Sequence, residues 1–149
     1  MGEIIEVQAV YGEGKSSELH SFFASDQSCG VGSTKQLTVT STYWMDVTKM
    51  HQLAVSLNCA AMASTTDEGK TLTVYMAGGI DKTHFDAGGN STPYQCIASV
   101  SCRVAKGAAT ARTKIIDVQG FRYIKPICVK SNSATSAIAW SLSASRVIG

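Results

Sequence analysis

Residues 120–144 constrain the fold more than any other part of the chain. Gly120-Phe-Arg-Tyr-Ile-Lys-Pro-Ile-Cys-Val-Lys130 is followed by a Ser/Asn/Thr turn and then by Ala137-Ile-Ala-Trp-Ser-Leu-Ser-Ala144. In the second run Ile138, Trp140, Leu142 and Ala144 fall on one side, and Ala137, Ala139, Ser141 and Ser143 on the other. A period of two with one apolar face is the pattern of a half-buried strand. No helical period occurs here. A strand, a polar turn and a strand imply a β-sandwich or barrel, and they direct attention to surfaces before clefts.

The same reading extends along the chain. Residues 4–10 alternate enough for a first strand, and Gly12, Gly14 and Ser16 break it. Residues 17–24 fit either a single helical turn or an irregular arm. Residues 26–34 carry Gly30 and Gly32 among polar residues and read as loop. Residues 37–44 are rich in Thr, Val and aromatics and read as a strand. The next strand, 51–62, has Leu53, Val55, Leu57, Cys59 and Ala61 on its apolar face. Residues 64–69 form a polar loop, and 70–77 a strand with Leu72, Val74 and Met76 inward. Residues 78–93, with four glycines, read as an exposed loop. Strands at 94–105 and 112–118 precede the closing pair. Pro126 lacks an N–H for a ladder, so its strand is expected to lie at an edge or to carry a bulge.

The expected fold is all-β, an antiparallel β-sandwich of about eight strands, jelly-roll-like, with an irregular N-terminal arm. Residues 1–40 are read as the strand, arm and loop region, and 41–149 as the sandwich, the whole forming one structural domain. At 149 residues the chain can bury a core without metal or disulfide support.

Composition narrows the function. Charged residues make up 16% of the chain, below the roughly 25% of soluble domains, while Ser and Thr fill 32 positions. The net charge of +2 is scattered, with no basic stripe to follow phosphates, so no nucleic acid partner is expected. No run approaches the roughly 18 apolar residues of a bilayer span, so no membrane partner is expected. The start has no basic n-region, and Glu6 stands where a myristoylation motif needs Ser or Thr. Synthesis in a cytoplasm is the expectation.

Chemistry-bearing residues are sparse. Cys29, Cys59, Cys96, Cys102 and Cys128 are odd in number, irregularly spaced and without Cys-x-x-Cys, so buried reduced thiols are expected and no zinc site. His20, His51 and His84 lie in separate segments, none at ligand spacing with another. Asp81, Asp86 and Asn90 depart from the order of an EF-hand loop. Gly-x-Ser-x-Gly is absent. No catalytic residue, metal or cofactor is expected, and the chain is read as a non-enzyme. Of the adjacent Tyr43 and Trp44, one is expected in the core and one exposed as an interface anchor.

The order of elements over residues 46–144 resembles that of small β-sandwich capsid decoration, or cement, proteins of tailed bacteriophages. The resemblance rests on the Asp46-Val47 turn, Gly69-Lys-Thr-Leu-Thr-Val-Tyr-Met76 before a glycine-rich loop, and Arg122-Tyr123-Ile124 before a polar turn and Trp140-Ser-Leu-Ser-Ala144. Lys125 stands where that family commonly has Arg, and Ala77-Gly-Gly-Ile-Asp81 departs from its usual loop. The resemblance implies a virion protein on the capsid surface that binds the major capsid protein and self-associates, often as a trimer. Ile4, Ile5, Val7, Phe22 and Phe23 would then form an arm for a neighbouring subunit, with Tyr43 and Trp44 as further contacts. The alternative is a carbohydrate- or receptor-binding module of a phage tail or fibre, which predicts an exposed aromatic row.

Overall fold

The computed structural model describes residues 20–36, 44–81, 96–133 and 135–147. Nine strands are present among them: β1 (His20–Cys29), β2 (Thr34–Gln36), β3 (Met45–Asp46), β4 (Gln52–Cys59), β5 (Thr71–Gly79), β6 (Ala98–Arg103), β7 (Thr110–Asp117), β8 (Tyr123–Ser131) and β9 (Ile138–Arg146). One sheet has the order β1-β9-β4-β7. The other has the order β2-β8-β5-β6, with β3 also paired to β8. Every pairing between named strands is antiparallel. The chain crosses repeatedly between the four-stranded and the five-stranded layer, and its first and last described strands are neighbours. That interleaving is the jelly-roll arrangement of a β-sandwich.

Alternation places the core between the layers. Leu53, Val55, Leu57 and Cys59 of β4 meet Ile138, Trp140, Leu142 and Ala144 of β9 from one sheet. Leu72, Val74 and Met76 of β5, Val100 and Cys102 of β6, and Ile124 and Val129 of β8 face them from the other. Trp140, Leu53, Leu57 and Leu72 are fully buried. Each such side chain contributes about 1.5–3 kcal/mol over leaving it in water. The inward faces expected for residues 70–77 and 137–144 are observed. Ala61 is exposed, because β4 ends at Cys59 and the chain turns away before it.

Pro126 sits in an interior strand. The expected bulge is present: Tyr75 lies opposite Cys128 but Met76 opposite Pro126, so Ile127 is the extra residue. On the other side of β8 the described pairs run from Lys130 to Cys128 with β2, and from Ile124 to Tyr123 with β3. None of these pairs falls on Pro126, so its missing N–H breaks no described bond there.

The N-terminal expectations need correction. Residues 17–24, read as a helical turn or an arm, enter β1 at His20. The loop expected over 26–34 is shorter, because β1 continues to Cys29 and turns through Gly30–Ser33, with Gly32 at φ 55°. Both β1 and β2 are strands of the sandwich. Gly78 and Gly79, expected in a loop, end β5 and are buried. The expected strands at 4–10 and 37–43, and loop residues 82–93, lie outside the described residues.

Candidate interaction surfaces

The outer face of the four-stranded sheet is built from the residues that alternate with the core. Register sets them in three rows across β9, β4 and β7: Ser145–Ala54–Ile115, Ser143–Ser56–Thr113 and Ser141–Asn58–Ala111. None of the nine is charged. The Thr113 hydroxyl donates to Ser56 Oγ at 3.3 Å. Short side chains on three adjacent strands leave a flat patch about 10 Å across the strands and somewhat longer along them. Ile115, 49% exposed, stands at its margin.

β7 bounds this patch and forms an edge of the sheet. Of its eight residues only Ile116 is buried. Arg112 and Lys114 lie opposite Leu57 and Val55, on the core-facing side of the strand, yet both are exposed. Lys114 Nζ donates to the Ser99 carbonyl of β6 at 2.9 Å, crossing the flank between the layers. Inward-placed cations on an edge strand oppose strand addition by another chain.

The outer face of the second sheet is different. Tyr75 and Ala77 alternate with the core residues of β5, and Cys128 of β8 lies opposite Tyr75; with Ile127 and Cys96 they form a second apolar cluster. Burial raises the Tyr75 phenol above its usual range, with the Cys128 and Cys96 thiols adding to the effect. The Cys128 thiol is raised by burial and by Cys29 and Cys96, against a smaller opposing influence of Lys130. Further along β8, Tyr123 meets Trp44 edge to face at 6.1 Å between centroids. Lys125 Nζ lies 4.5 Å from the Trp44 ring centroid, and the Arg122 guanidinium 5.5 Å from that of Tyr123. Burial lowers the Lys125 ammonium.

At one end of the sandwich the β3–β4 and β7–β8 turns frame an open groove of about 400 Å³, lined by Thr48–His51 and Gln119–Arg122. Two matching turns shape it. Asp46 Oδ1 accepts from Thr48 N at 2.9 Å, and Asp117 Oδ1 from Gln119 N at 3.0 Å. Lys49 takes φ 66° and Gly120 φ 94° to complete them. Lys49, His51 and Arg122 give the lining a basic character, and no carboxylate or thiol lines it.

The expected interface residues are distributed unevenly. Phe22 is fully buried in the main core, so it cannot belong to a surface arm; β1 carries it under the sheet. Phe23 lies in β1 opposite Leu142. Trp44 is 8% exposed, covered in part by Lys125, and offers no open ring face. Ile4, Ile5, Val7 and Tyr43 lie outside the described residues. The large exposed apolar side chains among the described residues are Val31, Ile80 and Ile115, none aromatic. The flat patch was not singled out from sequence, although the alternation of Ser141 and Ser143 with the core residues of β9 carried its signal. Four cysteines, Cys29, Cys59, Cys102 and Cys128, are buried free thiols, as the sequence implied.

In comparisons with known proteins, no family model and no curated protein matches the chain. No helix among the described residues is long and apolar enough to cross a membrane.

Proposed function

We propose that this chain is a virion structural protein of a bacteriophage, a capsid decoration protein that docks on the assembled head lattice and stabilises it. The observation that carries the reading is the jelly-roll order of the two sheets, taken together with the resemblance of the strand-and-turn pattern of residues 46–144 to that of cement proteins. The uncharged three-row patch supports it. Small side chains let a flat partner surface approach closely without desolvating charge. Its hydroxyls satisfy polar groups across the contact. Many weak contacts on a repeating lattice then add up through multivalency. Binding only the assembled shell shifts that shell's stability by mass action. The partners in this reading are the major capsid protein and further copies of the chain, as a trimer. No catalytic step is required in this reading.

The test is co-sedimentation of the purified protein with expanded and unexpanded heads of the phage that encodes it, with its mass measured by light scattering. A trimer that binds expanded heads and loses binding in Ser143→Arg, with its melting temperature unchanged, is expected. A monomer that ignores heads and is stabilised by one glycan would replace this reading with the carbohydrate-binding one.

A further inference from the structure

The two sheets converge at one corner. Past Cys59 the chain leaves β4, and Met62 N donates to the Ala105 carbonyl at 2.9 Å. Gly107 N returns a bond to the Met62 carbonyl at 2.9 Å, and Met62 and Lys106 form a parallel bridge. Layers of a sandwich stand about 10 Å apart, whereas bridged backbones stand about 4.8 Å apart. Cys59 stands three positions before Met62 and Cys102 four before Lys106, so each strand reaches the bridge within a short segment past its cysteine.

Both thiols are in the main core, one from each sheet. The Cys102 thiol lies close enough to Cys59 to raise it. Thr110, the cross-strand partner of Cys59, accepts from Cys102 Sγ at 3.3 Å, which sets the Cys102 thiol against the residue paired with Cys59.

We infer that Cys59 and Cys102 are the two halves of a latent disulfide that staples the sheets together, formed by exchange with a small-molecule disulfide such as oxidised glutathione. One cysteine thiolate attacks a sulfur of the external disulfide, breaking its S–S bond and releasing one small thiolate. The second cysteine thiolate attacks the mixed disulfide and releases the other. The two protons from the cysteines pass to the departing thiolates, and the two electrons reduce the external disulfide to two thiols. Burial holds the Cys59 thiol well above its ordinary range, with Cys102 adding to the effect, so it stays protonated while the corner is closed. The exchange therefore follows local opening of this corner, since the thiolate is the nucleophile. The inference stands apart from the virion reading: it concerns any setting in which the folded protein meets an oxidising medium.

The test uses the full chain, held in a glutathione redox buffer at mildly denaturing urea so that the corner opens, then returned to buffer and alkylated. Peptide mapping without reduction should find Cys59 joined to Cys102, with Cys29, Cys96 and Cys128 alkylated. The melting temperature should rise by roughly 5–15 °C, as expected for a bridge closing a loop of this size, and the rise should be absent in Cys102→Ser. Recovery of Cys59 and Cys102 as alkylated peptides would overturn the inference. So would a bridge joining either of them to Cys29, Cys96 or Cys128.

Discussion

Thr135 donates twice to the carboxylate of Asp67, through its backbone N–H to Oδ1 at 3.2 Å and through its hydroxyl to Oδ2. The Ser136 hydroxyl adds a bond to Oδ2 at 3.3 Å. Asp67 is fully buried in the short 3-10 turn Thr65–Asp67, so the β4–β5 connection is latched to the β8–β9 turn. Asp67→Ala removes the buried carboxylate that accepts these bonds to a charged group. A loss of about 1–3 kcal/mol is expected, read as a lower urea midpoint with an unchanged m-value. Asp67→Asn should retain part of it. A midpoint unmoved by either change would remove the latch from the account.

Gly78 is pressed against Phe121. A Cβ at position 78 would lie 2.6 Å from Phe121 Cε1. Gly78→Ala should cost about 1–3 kcal/mol through overpacking. Adding Phe121→Ala should recover part of the loss, a coupling that a double-mutant cycle measures directly. Strict additivity would show that the ring is not the obstacle.

Phe22 separates an arm from a core element. As a fully buried side chain it should lose about 3–5 kcal/mol on truncation to Ala. Thermal unfolding of Phe22→Ala gives the answer. A melting temperature like that of the parent would return Phe22 to the surface.

Stability should fall as pH rises past about 9. The Cys59 and Cys128 thiols sit above their usual value of 9.0 in the fold, so the folded chain keeps protons that the unfolded chain has released. More protons bound in the folded state means stability decreasing with pH. Lys125 acts in the opposite sense: its folded value lies below 10.5, so there the unfolded chain holds the extra proton. Melting temperatures from pH 8 to 10 should decline, less steeply in a Cys59→Ala/Cys128→Ala double variant and more steeply in Lys125→Met. Parallel profiles for all three proteins would refute the assignment.

Lys114 should act as a guard. Lys114→Val removes the cation that crosses from β7 to β6 and leaves an apolar, exposed edge. Concentration-dependent association by light scattering is the expected result, at little cost in melting temperature. Unchanged mass at high concentration would mean the edge is protected by something else.

Where alternation survives in the sequence, the strands were legible. β4, β5 and β9 have regular core faces, and Pro126 announced its own bulge. β1 was missed for a physical reason. Its register slips between Ser21 and Phe23 and again between Phe23 and Gln27, which erases the period of two and leaves Phe22 and Phe23 looking like an arm. Asp67 was read as a loop residue because its partners are 68 and 69 positions away. The meeting of Cys59 and Cys102 was hidden similarly, since it depends on a bridge between extensions of two strands in different layers. The flat patch is a property of three strands in register, which no single strand displays.

The pairing of β1 with β9, His20 opposite Ala144, sets a condition on biosynthesis. A ribosome has made β2 through β8 before the partner of β1 exists, and β4 likewise waits for β9 along one edge. The nascent protein must carry β1 without its sheet partner until β9 has been made. Such non-local pairing folds slowly.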